Sequence, residues 1–308
     1  GAPFILPVIV AVLGLLTVFG RSGWLSQLLG LVGLPEVSIY GLHGVVLAHV
    51  FFNLPLATRL ILQGWQEIPA ERFRLAAQLG ADGRGMFRLL EVPMLRRVVP
   101  GVLAVVFAIC LTSFAVALTL GGGPRATTIE LAIYQAFRFD FDLARAAMLS
   151  GIQLVLTGLA AFVALRVSAG EGFGSGLDRL VRRWDGDRPA ARVFDACWIG
   201  AAAVFLVLPL AAIIVSGVPG LLGLPLVVVQ SAMTAIRVAA IGTLVLLVLA
   251  LPMAAAVALG RGGVIEVSGV LGLAASPLVI GTGLFVIIHP FADPSDFALA
   301  VTAVVNAV

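Results

Sequence analysis

The side chains capable of covalent or metal chemistry are few and scattered in this 308-residue sequence. His43, His49 and His289 form no i, i+4 pair and have no acid beside them, so each is better explained as a satisfied polar group than as a metal ligand. Cys110 and Cys197 lie in apolar runs, which predicts buried thiols and neither a disulfide framework nor a metal site. No Gly-x-Ser-x-Gly elbow occurs. We therefore expect no catalytic residue and no metal in this chain.

Nucleotide-binding chemistry is missing as well. All 19 basic residues are arginines, so the phosphate-binding motif GxxxxGK[ST], which needs a lysine, does not occur. The triple glycine Gly121–Gly123 is then a hinge, and any ATP and Mg²⁺ must bind to another chain, so we expect no cofactor here. The net charge of +3 favours anionic lipid headgroups or an acidic protein surface as partners over nucleic acid.

The elements that position these residues are apolar helices. Hydrophobic residues make up 61% of the chain and charged residues 11%, against about 25% charged residues in a soluble domain. Because a helix needs about 20 apolar residues to cross a bilayer, the sequence predicts an all-α polytopic membrane protein with about seven complete or partial spans and a truncated eighth. The predicted spans are Phe4–Phe19, Gly41–Leu62, Val98–Leu120, Ala146–Leu165, Ala196–Val218, Val238–Leu259, Val267–Ile288 and the incomplete Phe297–Val308. Arg237 is expected to divide the long run Leu221–Leu259 into a short interfacial helix and a span.

The arginines predict the orientation. Fourteen of the 19 fall in alternate connections between the spans, which the positive-inside rule places in the cytoplasm. These include the loop 63–97 and the Gly-rich connection 168–193. We expect the latter to link a first half (1–167) to a second half (194–308), supported by a faint repeat of Pro7 and Pro277 at the heads of similar runs. The chain starts and stops within apolar runs, so we expect a fragment whose second half ends before its own loop.

The loop 63–97 combines arginines with helical patterning. A helix start is predicted at Ile68–Glu71, with proline early, after which Phe73, Ala76, Ala77 and Gly80 share roughly one face. Gly80 and Gly83 should end this helix, and a second apolar stripe should stop at Pro93. Two small amphipathic elements in a polar loop favour docking onto a partner over a passive linker. The span interiors contain no Asp or Glu, which argues against ion-coupled transport and for an external energy source.

One connection on the outer side has a pattern of its own. Thr127 and Glu130 fit a capping box, and Ile129, Ile133 and Phe137 recur every four residues. This predicts a short amphipathic helix at the outer interface.

The loop resembles the signature loop of permeases of ATP-binding-cassette (ABC) importers, whose pattern is Glu-Ala-Ala-x3-Gly-x9-Ile-x-Leu-Pro. With the glycine at Gly80, the triplet falls on Arg74-Leu75-Ala76 and the closing motif on Leu90-Glu91-Val92-Pro93. Arginine stands where the pattern has glutamate. The stretches His49–Gly80 and Ser113–Phe137 are similar to the permeases of bacterial thiamine (and thiamine phosphate) importers.

This resemblance implies a type I ABC importer transmembrane domain in the bacterial inner membrane, a transport subunit and not an enzyme. It also implies three partners besides lipids: two copies of an ATPase subunit that holds ATP and Mg²⁺, a periplasmic binding protein, and thiamine. The implied ATPase-coupling residues are Arg74, Leu75, Ala76, Gly80, Leu90, Val92 and Pro93. Candidates for an outer gate or binding-protein contact are Gly121, Gly122, Gly123, Thr127, Glu130 and Tyr134.

Two alternatives stay open. A permease for another small solute, such as ferric iron, would share the same architecture. A polytopic membrane enzyme would instead need polar catalytic residues clustered at one depth.

Overall fold

A computed structural model describes residues 6–121, 127–168, 189–260, 277–288 and 291, and among these residues the regular structure is entirely helical. The helices are α1 (Val8–Phe19), α2 (Trp24–Leu31), α3 (Leu42–Gln66), α4 (Ala70–Gln78), α5 (Gly83–Met86), α6 (Val92–Leu111), α7 (Phe114–Leu120), α8 (Ile129–Arg138), α9 (Leu143–Ser168), α10 (Pro189–Gly217), α11 (Leu226–Ala258) and α12 (Pro277–Ile288). A π-helical turn at Phe87–Glu91 joins α5 to α6, and a 3-10 helix at Val218–Gly223 follows α10.

Six helical segments of the described chain are long and apolar enough to cross a bilayer. They confirm the all-α polytopic prediction, and the spans predicted in α3, α9 and α10 lie close to their observed helices. The segments are Val8–Leu31, Leu42–Gln66, Gly83–Leu111, Leu143–Val163, Pro189–Gly220 and Leu226–Ala258. The predicted span Phe297–Val308 and the first part of Val267–Ile288 lie outside the described residues.

Two predicted span boundaries are wrong. The third span was expected at Val98–Leu120, but the helix begins at Gly83 and ends at Leu111, and α7 is a separate short helix. The Leu111 carbonyl at this break accepts a hydrogen bond from Nε2 of Gln153, a fully buried side chain of α9, at 3.4 Å. The expected division at Arg237 is also wrong, because α11 runs through this arginine without interruption.

The described residues fall into two compact units. One contains residues 6–110, 115–121, 162–168 and 189–216, and the other contains 111–114, 127–161, 217–260, 277–288 and 291. Each unit therefore draws residues from both predicted halves. A unit of packing is a different property from a sequence repeat, so the division into halves at 1–167 and 194–308 stays a prediction.

Phe51 of α3 lies at the centre of the first unit. Its side chain is fully buried and makes an edge-to-face contact with Phe205 of α10, with ring centroids 5.8 Å apart. Buried side chains of α1, α3 and α7 surround it: Ala11, Val12, Leu15, Val45, Ala48, Val116 and Leu120. The start of α3 is tied to the end of α7, because the Gly41 amide donates to the Leu120 carbonyl at 2.7 Å.

Aromatic contacts organise the described part of the second unit. Phe137 of α8 makes an edge-to-face contact with Phe285 of α12, with centroids 5.0 Å apart. Tyr134, on the same helix, contacts Phe114 and Phe139. The predicted amphipathic helix is therefore present, and it packs within its own unit.

We expect Phe51→Ala to lower the free energy of unfolding by about 3–5 kcal/mol, because it leaves a cavity among close-packed helices. Phe107→Ala on α6 is the matched control, since Phe107 is 54% exposed. Thermal unfolding of the two detergent-purified variants tests this. Equal losses of stability in both would contradict the central role of Phe51.

Candidate functional site

The loop 63–97 begins as the sequence predicts. Helix α3 ends at Gln66, Pro69 takes the N-cap position of α4, and Glu71 lies in the first turn of α4. Pro69 suits this place because its fixed φ matches the entry to a helix and an N–H is not needed there. A carboxylate in the first turn also stabilises the positive end of the helix dipole.

A small hydrophobic cluster holds α4 against its own chain. We call it the loop core; its buried members are Ile68, Phe73, Ala76, Met86 and Met94. Phe73 is 6% exposed and Met86 is fully buried. Trp65, Ala81, Leu90, Leu95 and Val98 pack around the cluster. The loop core joins α4 to the ends of α3 and α6. The short helix is therefore packed against the rest of the protein and is not an unpacked loop.

Gly80 ends α4 in a Schellman motif. Its φ is +70°, its amide donates to the Ala77 carbonyl at 3.0 Å, and the Ala81 amide donates to the Ala76 carbonyl at 2.9 Å. A Cβ at this position would meet nothing within 4 Å. The need for glycine is therefore conformational: another residue in this left-handed region costs about 1 kcal/mol or more, while the space outside Gly80 is open.

The return from α4 into the third span is one continuous helical path. The Oδ1 atom of Asp82 accepts a hydrogen bond from the Gly85 amide at 2.7 Å and caps the start of α5. From Gly83 the helix runs through the π-helical turn to Leu111. The expectation that Pro93 stops a helix is wrong. It is the second residue of α6, directly after a turn in which the regular i to i−4 hydrogen bonding is already interrupted.

Helices α3 and α6 are in close contact at the two ends of the loop. A Cβ on Gly64 of α3 would lie 2.5 Å from Cγ2 of Val98 on α6, so only glycine lets the two helices approach this closely. Small residues at such crossings are typical of helix packing in membranes.

The outward side of α4 differs from the predicted docking face. Arg74, Leu75, Ala77 and Gly80 are exposed, but Ala76 is 4% exposed and belongs to the loop core. Ala76 is buried because it packs with Phe73 against Met86 and Met94. Helical periodicity in the sequence cannot reveal these contacts.

Sequence reasoning missed Leu79, which is 80% exposed beside Gly80. Leu75 is 55% exposed, so α4 presents two leucines to its surroundings. An apolar residue directly before the capping glycine was the available signal. Of the other predicted coupling residues, Leu90 packs against the loop core, Val92 is half-buried and Pro93 is exposed.

Basic residues accompany the two leucines in this loop. Arg74 on α4 and Arg84 and Arg88 on the returning helix are all exposed. The exposed surface of the loop therefore includes two leucines and three arginines. Such a surface suits an acidic or anionic partner with a hydrophobic groove.

The outer segment departs from the prediction in its cap. Thr128 and not Thr127 is the N-cap of α8, and its Oγ1 accepts a hydrogen bond from the Leu131 amide at 3.3 Å. The capping box with Glu130 is therefore wrong by one residue, and the Glu130 side chain is 1% exposed. Gly121 is buried at the end of α7, whereas Gly122 and Gly123 lie outside the described residues. Thr127 is exposed and Tyr134 is half-buried between two phenylalanines.

Metal-binding residues do not assemble in the part of the chain that the structure covers. No group of three His, Cys, Asp or Glu side chains lies close enough to hold an ion there.

The described residues form an all-α polytopic membrane protein, with six helical segments that can each cross a bilayer. Comparison with curated proteins confirms the resemblance to permeases of thiamine importers. The chain is 44% identical over 297 residues to the thiamine transport system permease protein ThiP of Salmonella typhimurium, covering 92% of this chain and 55% of the relative. It is 39% identical over 316 residues to the protein of the same name from Brucella abortus, covering 99% of this chain and 58% of the relative.

A more distant relative is the sulfate transport system permease protein CysW of Synechococcus elongatus, 26% identical over 53% of this chain and 58% of that protein. The chain thus spans little more than half the length of the thiamine permeases that it matches. No family model matches the chain. No solved structure matches it either.

The loop core predicts a difference between two neighbouring residues of α4. Phe73→Ala should loosen α4 and speed tryptic cleavage at the loop arginines several-fold, because it removes the largest side chain of the loop core. Leu75→Ala should leave the cleavage rate unchanged, because Leu75 points away from that core. Limited proteolysis of the purified protein followed by mass spectrometry measures both rates, and equal rates in the two variants would contradict the assignment of faces.

Proposed function

We propose that this chain forms part of the transmembrane permease subunit of an ATP-driven importer that moves thiamine across the bacterial inner membrane. The observation that carries the proposal is the 39–44% identity to thiamine permeases over 92–99% of the chain. A periplasmic binding protein would deliver the solute, and two copies of a separate ATPase subunit would bind ATP and Mg²⁺. This subunit would perform no covalent chemistry.

In the proposed mechanism, α4 is the coupling helix. Its exposed side, with Arg74, Leu75, Leu79 and Gly80, would sit in a groove of the ATPase, while the loop core attaches it to α3 and α6. Because the attachment is a packed hydrophobic cluster, a shift of the ATPase would move α4 as a body and reach both spans. The spans would then change between inward-facing and outward-facing states, which is alternating access.

The orientation follows from the arginine distribution. The loops 63–97 and 168–193 would lie in the cytoplasm, where the ATPase is, and the segment from Gly121 to Phe137 on the periplasmic side. In that position, the exposed Thr127 would be accessible to the binding protein, and the half-buried Tyr134 could contribute to a gate. The linker 168–193 would join two homologous halves, 1–167 and 194–308.

A permease for another small solute is the second candidate. The similarity to a sulfate permease supports it, since the same architecture serves a different solute in that relative. Ferric iron is a further solute of importers with two fused halves.

The experiment is uptake of radiolabelled thiamine into cells or proteoliposomes that contain the full-length permease, its ATPase and its binding protein. Uptake should require ATP and fall on addition of excess unlabelled thiamine, but not of sulfate or ferric iron. Competition by sulfate or iron and not by thiamine would support the second candidate.

Gly80 offers a sharp test of coupling. We expect Gly80→Arg to reduce thiamine uptake at least about tenfold at an unchanged amount of permease in the membrane, because it strains the Schellman motif and fills the space outside it. Gly80→Asn is the matched control, since asparagine tolerates a positive φ and is small; it should keep most of the uptake. Normal uptake by Gly80→Arg would exclude this surface as the coupling contact.

A further inference from the structure

A cavity of about 400 Å³ that is open on one side, where Val46 and Val50 are about half-exposed, lies in the first unit between α3 and α6. Its volume is within the range of small-molecule sites, roughly 300–1,000 Å³. The wall is mostly apolar, yet three polar side chains contribute to it within the spans: His49, Asn53 and Cys110. The apolar lining residues are Val46, Val50, Leu54, Ala57 and Val106.

Asn53 links the two helices. Its side chain is 5% exposed, and its Nδ2 donates to the His49 carbonyl at 2.9 Å and to Sγ of Cys110 at 3.5 Å. Nδ2 is thus satisfied partly by its own helix and partly by a weak sulfur acceptor on the neighbouring one.

We call the contact between α3 and α6 beside this cavity the seam. Two polar atoms at the seam have no hydrogen-bond partner among the described residues. They are Oδ1 of Asn53 and Nε2 of His49, and both are buried. A buried polar atom without a partner costs about 1–3 kcal/mol, and in hydrocarbon no water supplies the missing bond. Polar side chains that join packed membrane helices pair with one another across the contact, whereas these two atoms do not.

Both helices that line the cavity contain a proline at which they can bend. Pro55 lies inside α3, two residues after Asn53, and Pro100 lies inside α6. Each proline removes one hydrogen bond of its helix, and sharp bends of helices are concentrated at such positions. The seam therefore has both a cost in the described state and a means of opening.

We propose that His49, Asn53 and Cys110 form part of the solute passage, and that opening of the α3–α6 seam brings Oδ1 of Asn53 and Nε2 of His49 onto the solute. This inference rests on the proposed function. The two atoms suit a small heteroaromatic solute that carries an amino group: Asn53 Oδ1 accepts a hydrogen bond from the amino group, and the imidazole of His49 bonds a ring nitrogen. The apolar wall accommodates the flat faces of the ring.

Cys110 is a native probe of this site. The experiment uses the full-length permease with its ATPase and binding protein in inside-out vesicles, with Cys110 as the single cysteine after Cys197→Ser and replacement by serine of every cysteine outside this sequence. The reagent is the membrane-impermeant cation 2-(trimethylammonium)ethyl methanethiosulfonate, and modification is followed by mass spectrometry. We expect Cys110 to be modified at rates that differ at least threefold between the ATP-free and ATP-bound states, and thiamine to slow the reaction at least threefold.

The matched control is Phe107→Cys in a chain without Cys110, because Phe107 lies on the same helix, is largely exposed and does not line the cavity. It should face lipid and stay unmodified. Gln66→Cys, at the exposed end of α3, is the positive control. An unmodified Cys110 in both states beside a modified Gln66→Cys would overturn the proposal. So would equal modification of Phe107→Cys and Cys110.

Transport by variants separates this inference from the proposed function. Asn53→Leu should lower thiamine uptake at least about tenfold at an unchanged level in the membrane, whereas Asn53→Asp, which keeps the acceptor oxygens, should retain more of it. Wild-type uptake by Asn53→Leu would overturn the role of Asn53 while leaving the permease function intact. If the wild-type transporter itself took up no thiamine, the proposed function would fail instead, and state-dependent modification of Cys110 would still report a passage.

Discussion

Backbone hydrogen bonding inside a bilayer is the constraint that shapes this chain. Water is absent from the hydrocarbon region, so each amide and carbonyl must find its partner within the protein, and helical segments of 21 to 33 residues achieve this in the described chain. Where a helix stops early, another group takes over, as Gln153 does at the Leu111 carbonyl. Several threonine hydroxyl groups follow the same rule and donate to the carbonyl four residues earlier: Thr17, Thr58, Thr157, Thr234 and Thr243. Against this background, the orphan atoms of His49 and Asn53 are notable.

The loop between α3 and α6 contains a short helix, α4, for which length gives little stability. A helix of nine residues is too short to be stable alone in water. Three local devices hold it: proline at its start, glycine in a left-handed turn at its end, and the loop core beneath it. The side chains of α4 that pack into the loop core all lie on one face of the helix. The opposite face can therefore carry charged side chains together with Leu75 and Leu79. One side of this helix thus supplies its stability, and the other side is available for the proposed contact with a partner.

Local signals in the sequence predicted the spans in α3, α9 and α10 and the start and end of α4, because hydrophobic length, proline and glycine act over a few residues. The failures have a different origin. The break after Leu111 depends on Gln153, more than forty residues away, and the burial of Ala76 depends on Met86 and Met94. At α8 two adjacent threonines compete for one cap, and composition does not choose Thr128 over Thr127. Tertiary contacts decided the first two of these, whereas a local hydrogen bond defines the third.

The helical segment from Gly83 to Leu111 is continuous through its π-helical turn, so the third span could act as a lever that connects movements at its two ends. Its 29 residues, at about 1.5 Å each, extend roughly 43 Å from the loop across the bilayer. Pro100 lies near the middle, where a bend acts as a fulcrum. A displacement of a few ångströms at the Gly83 end would then produce a displacement of similar size near Cys110, in the opposite direction. A helix of this kind needs no chain of intermediate contacts to carry movement from one side of the membrane to the other.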